Sequence, residues 1–137
     1  MTPDPSAIRA VAVSADDLVA AMEAAESGGA PTVLRITPPF SGRMRARLHV
    51  VQDDADDETV HIPPETLLTG EPPAYPSPDE TADELRATEG ETYSVERHRE
   101  YHRQRVQTWR TRLLEHVADS TTLPGLDGEI SISILGP

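Results

Sequence analysis

The chain has 137 residues, a formal net charge of −12 and twelve cationic side chains, all of them arginine. Because it has no cysteine, it can form no disulfide, thiolate metal site or cysteine nucleophile. Because it has no lysine, it can form neither a Schiff base nor a P-loop cation site. The length is that of one ordinary domain, so we predict a single domain over residues 1–137.

The N-terminal part is predicted to form a strand followed by a helix. Residues 8–13 are a short apolar run typical of a strand. Ser14 is a suitable N-cap with Asp17 three residues on, and Gly28 is a suitable stop. The apolar stripe of this helix consists of Leu18, Ala21, Met22 and Ala25.

The next segment has the pattern of a β-hairpin. Strands are predicted over residues 32–37 and 43–51, joined by the turn residues 40–42. The second strand has the clearest two-residue period in the chain. One of its faces carries Arg43, Arg45, Arg47 and His49, and the other carries Met44, Ala46, Leu48 and Val50. Arg35, on the partner strand, can join the arginine-bearing face.

A proline-rich stretch divides the chain. It follows an acidic turn at residues 53–58 and a fourth predicted strand at residues 59–62. Residues 63–78 hold six of the thirteen prolines. Proline lacks a backbone donor, so this stretch is predicted to be an extended strap or linker inside the domain.

Two helices are predicted in the second half. Ser77, with Pro78 at the first helical position, begins a short helix that ends near Gly90. A longer helix is predicted from Ser94 to about Asp119. Its buried face is predicted to consist of Val95, His98, His102, Val106, Trp109, Leu113, His116 and Val117.

The last strand completes the predicted fold. Residues 129–135 alternate isoleucine with glutamate or serine, as a half-buried strand does. The element order is therefore β-α-β-β-β-α-α-β. This order predicts an α+β fold with a mostly antiparallel, four- to five-stranded sheet and helices packed on one face.

The arginines are segregated along the chain. Residues 31–52 carry four arginines and no acidic residue, and residues 97–114 carry six arginines and one glutamate. Guanidinium groups bind phosphate or carboxylate bidentately, so we predict an anion-binding surface. Its candidate residues are Arg35, Arg43, Arg45, Arg47, Arg99 and Arg103. Two interpretations stay open: internal pairing with residues 53–58 or Glu129, and an external anionic partner.

Nucleic acid is the less favoured external partner. A chain with a net charge of −12 repels a polyanion at long range. Phe40, at the turn, is the only aromatic residue near the arginine strand, so stacking platforms for bases are lacking.

A histidine pair gives a second candidate site. His98 and His102 are four residues apart on one helical face, a spacing that can hold a metal ion. His61, His49 or a carboxylate would have to supply a further ligand. The competing interpretation is structural, with the two rings packed at the edge of the apolar stripe.

Two stretches carry a resemblance to a known group of proteins. They are residues 37–49, TPPFSGRMRARLH, and residues 74–81, AYPSPDET. These stretches resemble an uncharacterised family of small acidic haloarchaeal proteins, and the acidic, lysine-free composition is similar to that of proteins from halophilic archaea that accumulate salt in the cytoplasm. The resemblance implies an archaeal, halophilic origin and no particular activity.

We therefore predict a non-enzymatic binding or regulatory module that uses the arginine-rich hairpin to bind an anionic partner. That partner is a protein acidic surface, a phosphate group or a nucleic acid, and a homo-oligomer is a further candidate. The alternative is a small metal-dependent enzyme or metal-binding protein using His98 and His102. No nucleophile-elbow, dinucleotide or P-loop motif occurs, so we expect no cofactor. No apolar run approaches ~18 residues and no signal-peptide pattern is present, so we expect a cytoplasmic protein without a membrane partner.

Overall fold

The computed structural model describes residues 4–28, 31–51 and 59–136. The chain divides into two compact units. The first, which we call the sheet unit, comprises Met1–Gly70 and His116–Pro137; the second, the helical unit, comprises Glu71–Glu115. The proline-rich stretch contributes to both, and the single domain over residues 1–137 stays a prediction.

The described residues form six strands and three α-helices, with two short 3-10 helices at Pro5–Ala7 and Pro64–Leu67. In chain order the elements are β1 (Ala10–Ser14), α1 (Ala15–Ser27), β2 (Thr32–Ile36), β3 (Arg43–Val50), β4 (Val60–Ile62), α2 (Pro78–Ala87), α3 (Val95–Leu114), β5 (Ser120–Thr122) and β6 (Glu129–Leu135). The predicted α+β class is confirmed, and the β2–β3 hairpin forms as predicted.

The sheet differs from the prediction in size and in direction. It has six strands in the order β4-β2-β3-β1-β6-β5. β1 runs parallel to both β3 and β6, and the other pairs are antiparallel. The predicted four- to five-stranded, mostly antiparallel sheet is therefore wrong in detail. β5 was missed because its three residues, Ser-Thr-Thr, show no alternation, and parallel pairing depends on partners that sequence periodicity does not reveal.

β3 joins the two halves of the sheet. Its first half, from Arg43 to Ala46, pairs with β1, and its second half, from Arg47 to Val50, pairs with β2. The strand thus continues past the end of β1. At that point the carboxylate of Asp17, in the first turn of α1, accepts a hydrogen bond from the backbone N–H of Leu48 at 3.2 Å.

One face of the sheet is the core of this unit. α1 packs against β1, β2 and β3, and contributes the buried Leu18 and Ala21. The buried strand residues are Val11, Val13, Leu34, Ile36, Ala46, Val60, Ile62 and Ile130. Helix α1 starts as predicted, because the Ser14 hydroxyl accepts from the Asp17 N–H at 3.0 Å. It ends at Gly28, whose φ of 71° lies in the left-handed region.

The helical unit pairs α2 with α3. Ser77 and Ser94 cap the two helices through their hydroxyl oxygens. The Trp109 indole N–H donates to the Pro73 carbonyl at 3.0 Å, and its ring meets Tyr75 edge-on with the centroids 4.7 Å apart. These contacts tie the proline-rich segment to the middle of α3.

Helix α3 is shorter than predicted. It ends at Leu114, and the residues that follow belong to the sheet unit, where Val117 forms a β-bridge with Leu68. Of the predicted apolar face, Trp109 and Leu113 are buried, but Val95 is 61% exposed. The predicted helix is too long because the apolar pattern of α3 continues through His116 and Val117. That pattern does not reveal the two backbone hydrogen bonds that flank this bridge.

Replacing Leu34 with alanine should destabilise the sheet unit by about 2–5 kcal/mol, because a core side chain is removed and a cavity remains. Leu34 is fully buried, whereas its cross-strand partner Leu48 is 40% exposed. Leu48→Ala is the matched control and should cost much less. Urea unfolding followed by circular dichroism measures both losses. Equal losses would contradict the assignment of Leu34 to the core.

Candidate anion-binding surface

The predicted arginines of the hairpin come together on the sheet face opposite the core. Arg35 on β2 lies directly across from Arg47 on β3 and, on its other side, across from His61 on β4. Arg43 and Arg45 continue along β3, opposite Ala10 and Ala12 of β1. We call the surface formed by Arg35, Arg43, Arg45, Arg47, His49 and His61 the arginine face.

The guanidinium groups of this face are not neutralised by the described residues. Arg43, Arg45 and Arg47 are exposed, and Arg35 is half-buried. Within residues 4–28, 31–51 and 59–136, none of the four lies within salt-bridge distance of a carboxylate. Glu129, one of the two predicted internal partners, makes no such pair. The other, the acidic run at residues 53–58, lies outside the described residues.

Small side chains continue the arginine face toward β6. Ala10 lies between Arg43 and Ser131, and Ala12 lies between Arg45 and Ser133. The side chains of these residues are short, so no side chain on β1 or β6 at these positions covers the neighbouring arginines. The described strands carry no Phe, Tyr or Trp on this face, and Phe40 at the turn is buried.

Two histidines meet over β2. His49 on β3 and His61 on β4 flank that strand, and their ring centroids are 5.4 Å apart. Partial loss of water around the ring, together with the charge of Arg35 and the proximity of His61, holds the pKa of His49 below its usual value. The sequence indicates His61 only as a candidate metal ligand. Its place on the arginine face follows from the β2–β4 register, which the sequence does not reveal.

The arginines of α3 differ from those of the hairpin. Arg97 makes two hydrogen bonds to the Glu91 carboxylate, at 2.9 and 3.0 Å. Arg105 is paired with Glu84 at 2.8 Å. Of the two predicted anion-binding residues on this helix, Arg99 and Arg103 are both exposed and make no ion pair with the described residues. The basic segment at residues 97–114 is therefore partly neutralised within the helical unit.

The predicted histidine pair of α3 faces a threonine. The Thr81 hydroxyl oxygen lies 2.9 Å from His98 Nε2 and 2.9 Å from His102 Nδ1. The same oxygen lies 3.2 Å from the Pro78 carbonyl oxygen, and Thr81 is fully buried. The part of the chain that the structure describes contains no group of three or more His, Asp or Glu side chains able to hold a metal ion. Metal binding by His98 and His102 stays a prediction, and it would have to displace this hydroxyl.

The fold and surface define a small α+β protein with an arginine-bearing sheet face and a separate two-helix unit. The chain belongs to the family described as Domain of unknown function (DUF8009), whose profile matches residues 1–136. No curated protein and no solved structure matches the chain. Among the described residues, none of the helices combines the length and the apolarity needed to cross a membrane.

Thr81→Val should lower the free energy of unfolding by about 1–3 kcal/mol, because the two imidazole nitrogens lose a buried hydrogen-bonding partner. Thr108→Val is the matched control, since Thr108 is exposed on α3 and bonds only the carbonyl of its own helix. The control should stay within about 0.5 kcal/mol of the wild type. Denaturant unfolding measures both variants. A neutral Thr81→Val would show that the hydroxyl does not hold the histidines.

The Glu84 pair should make stability depend on pH. Hydrogen bonds from Arg105 and Tyr101 hold the pKa of Glu84 below its usual value. Its contribution is therefore present above the unfolded-state pKa of about 4.3 and is lost as the pH falls through the lower folded-state pKa. Glu84→Gln should cost about 0.2–1 kcal/mol near neutral pH, in the range of exposed ion pairs.

The pH dependence of this cost distinguishes the ion pair from a general effect of the substitution. The difference from the wild type should shrink as the medium becomes acidic. Glu89→Gln, at an exposed glutamate outside both helices, is the control and should show no comparable trend. Unfolding curves recorded at several pH values test this. A cost that stays constant with pH would rule out the proposed role of the ionised pair.

Proposed function

We propose that the protein is a non-enzymatic binding module that uses the arginine face to bind an anionic group on a partner protein. The observation that carries the proposal is the cross-strand register of Arg35 and Arg47, extended along β3 by Arg43 and Arg45, without a carboxylate among the described residues. Like charges directly opposite each other on a sheet destabilise it. An anion bound across them removes that repulsion and supplies bidentate acceptors.

A protein partner fits this surface better than a nucleic acid. Single-stranded nucleic acids are held by aromatic stacking, which the described strands do not offer on this face. The net charge of −12 also opposes a long polyanion. A carboxylate cluster or a phosphorylated side chain needs only local contacts, and the small residues beside Arg43 and Arg45 leave room for another chain to approach.

Salt tolerance is consistent with arginine as the binding residue. The resemblance to haloarchaeal proteins implies a concentrated-salt cytoplasm, in which the Debye length falls to about 3 Å at 1 M. Long-range attraction is then screened, whereas short bidentate hydrogen bonds persist. Arginine makes such bonds through a fixed fork, which lysine lacks.

The alternative, a metal-dependent enzyme built on His98 and His102, has no specific support among the described residues. Both rings are turned toward the Thr81 hydroxyl, and no third ligand accompanies them there. We therefore propose the binding module and not the metal-dependent enzyme.

Arg43→Ser combined with Arg45→Ser should weaken binding of an acidic phosphopeptide by at least about tenfold, since hydrogen bonds to charged groups contribute about 1.5–3 kcal/mol each. Fluorescence anisotropy in potassium chloride at fixed ionic strength measures the affinity. Circular dichroism confirms that the fold is retained.

A charge-matched control distinguishes the effect of this surface from the effect of the net charge of the protein. Arg86→Ser combined with Arg112→Ser removes the same two charges from exposed positions of the helical unit and should change the affinity by less than about twofold. Arg99→Ser combined with Arg103→Ser shows whether those helix arginines contribute. Equal weakening by the β3 pair and the control pair, or no binding by the wild type, would contradict the proposal.

A further inference from the structure

Four nitrogen-bearing side chains converge at one end of the arginine face. Arg35 on β2 lies between Arg47 and His61 in direct cross-strand register. His49 lies two residues beyond Arg47 on β3, and its ring comes to 5.4 Å from that of His61 although β2 lies between their strands. Both rings therefore lean over β2 toward each other. We call Arg35, Arg47, His49 and His61 the Arg–His cluster.

We propose that the Arg–His cluster is a binding site for a tetrahedral dianion of the phosphomonoester type, and that binding of the dianion is coupled to proton uptake at His49. This inference rests on the proposed function, because it identifies the chemistry of the anion that this end of the arginine face recognises.

The donor set matches a dianion better than a single carboxylate. Arg35 and Arg47 carry two fixed positive charges, and their forks can bind two oxygen atoms each. An imidazolium ring donates from both nitrogens, so His49 adds donors on β3 beside Arg47, and His61 adds a donor on β4, on the other side of β2. The Nε2 atom of His61 also lies 3.2 Å from the Thr59 hydroxyl oxygen. A tetrahedral group presents oxygens in several directions, whereas a carboxylate presents two in one plane. Donors on the three adjacent strands β3, β2 and β4 therefore suit a tetrahedral group better than a carboxylate.

The surroundings of His49 favour proton uptake when an anion binds. In the free protein the pKa of His49 is lowered by its partial desolvation and by Arg35 and His61. The other charged groups on this face of β3 are Arg43, Arg45 and Arg47. Strands β1, β2, β3 and β4 carry no carboxylate, and Glu129 on β6 is the acidic residue of the described strands on the same face. The negative charge of a bound dianion opposes the effect of Arg35 on His49, so it stabilises the protonated His49 ring.

The direction of the pH effect follows by linkage. Because binding takes up a proton at His49, the affinity should increase as the pH falls through the range in which His49 titrates. It should level off once His49 is already protonated in the free protein. The gain is at most about tenfold per pH unit for each proton taken up.

Sulfate is the probe for this test, because it stays a dianion between about pH 5 and about pH 8, where histidine titrates. Any pH dependence of its binding then comes from the protein. Isothermal titration calorimetry at constant ionic strength gives the affinity, and repetition in buffers of different ionisation enthalpy gives the number of protons taken up. Histidine ring resonances locate the site. A phosphomonoester is titrated next and should bind the same residues.

The variants isolate the contribution of the histidines. His49→Gln combined with His61→Gln keeps all the arginines, and it should abolish proton uptake and flatten the pH profile while weaker sulfate binding remains. Arg35→Gln combined with Arg47→Gln should abolish sulfate binding at every pH. His116→Gln, a histidine of the same unit whose Nδ1 contacts the Thr69 carbonyl, is the control and should leave the profile unchanged.

The inference and the proposed function can fail separately. Sulfate binding without proton uptake, an unchanged pH profile in the double histidine variant, or no sulfate binding at all would overturn the inference. The phosphopeptide could still bind through Arg43 and Arg45, which the histidine variant leaves intact. Conversely, the protein could bind sulfate with proton uptake while substitution of Arg43 and Arg45 leaves the phosphopeptide affinity unchanged. That result would overturn the proposed function but not the inference about the Arg–His cluster.

Discussion

Burial of one side of the sheet under α1 is the constraint on which the rest of the sheet unit depends. Because side chains alternate along a strand, fixing Leu34, Ile36 and Ala46 in the core forces Arg35, Arg45 and Arg47 onto the opposite face. A shift of one residue in the register would place guanidinium groups in an apolar interior, at a cost far above the stability of a domain. The hydrophobic core thus holds the arginines in a row.

The arginines of the two basic segments have different surroundings on the helix and on the strand. On α3, glutamates of the helical unit pair with Arg97 and Arg105 and consume part of the positive charge. On β3, the strand neighbours are Ala10, Ala12 and β2, which offer no carboxylate. The described residues leave this charge without a carboxylate partner, and for this reason the hairpin, rather than the helix, supports the proposed function.

The histidines show a similar contrast. His98 Nε2 and His102 Nδ1 share a single buried hydroxyl group, so one ring nitrogen of each histidine has a partner inside the helical unit. His49 and His61 lie instead against cations on an open face of the sheet. The first pair packs and hydrogen-bonds inside the helical unit, whereas the second pair lies beside arginines on a face that an anion can approach.

The sequence by itself determined the local elements. Serine caps, Gly28 and the two-residue period of β3 are read from neighbouring residues, and these signals correctly predicted α1, α2, the hairpin and the alternation that places arginines on one face. Tertiary structure alone decided the rest. The parallel pairing of β1 with β3 and β6, the meeting of His61 with Arg35, and the end of α3 at Leu114 each depend on contacts between residues far apart in the chain. Such contacts depend on which strands and loops lie side by side, and hydrophobic periodicity carries no information about partners.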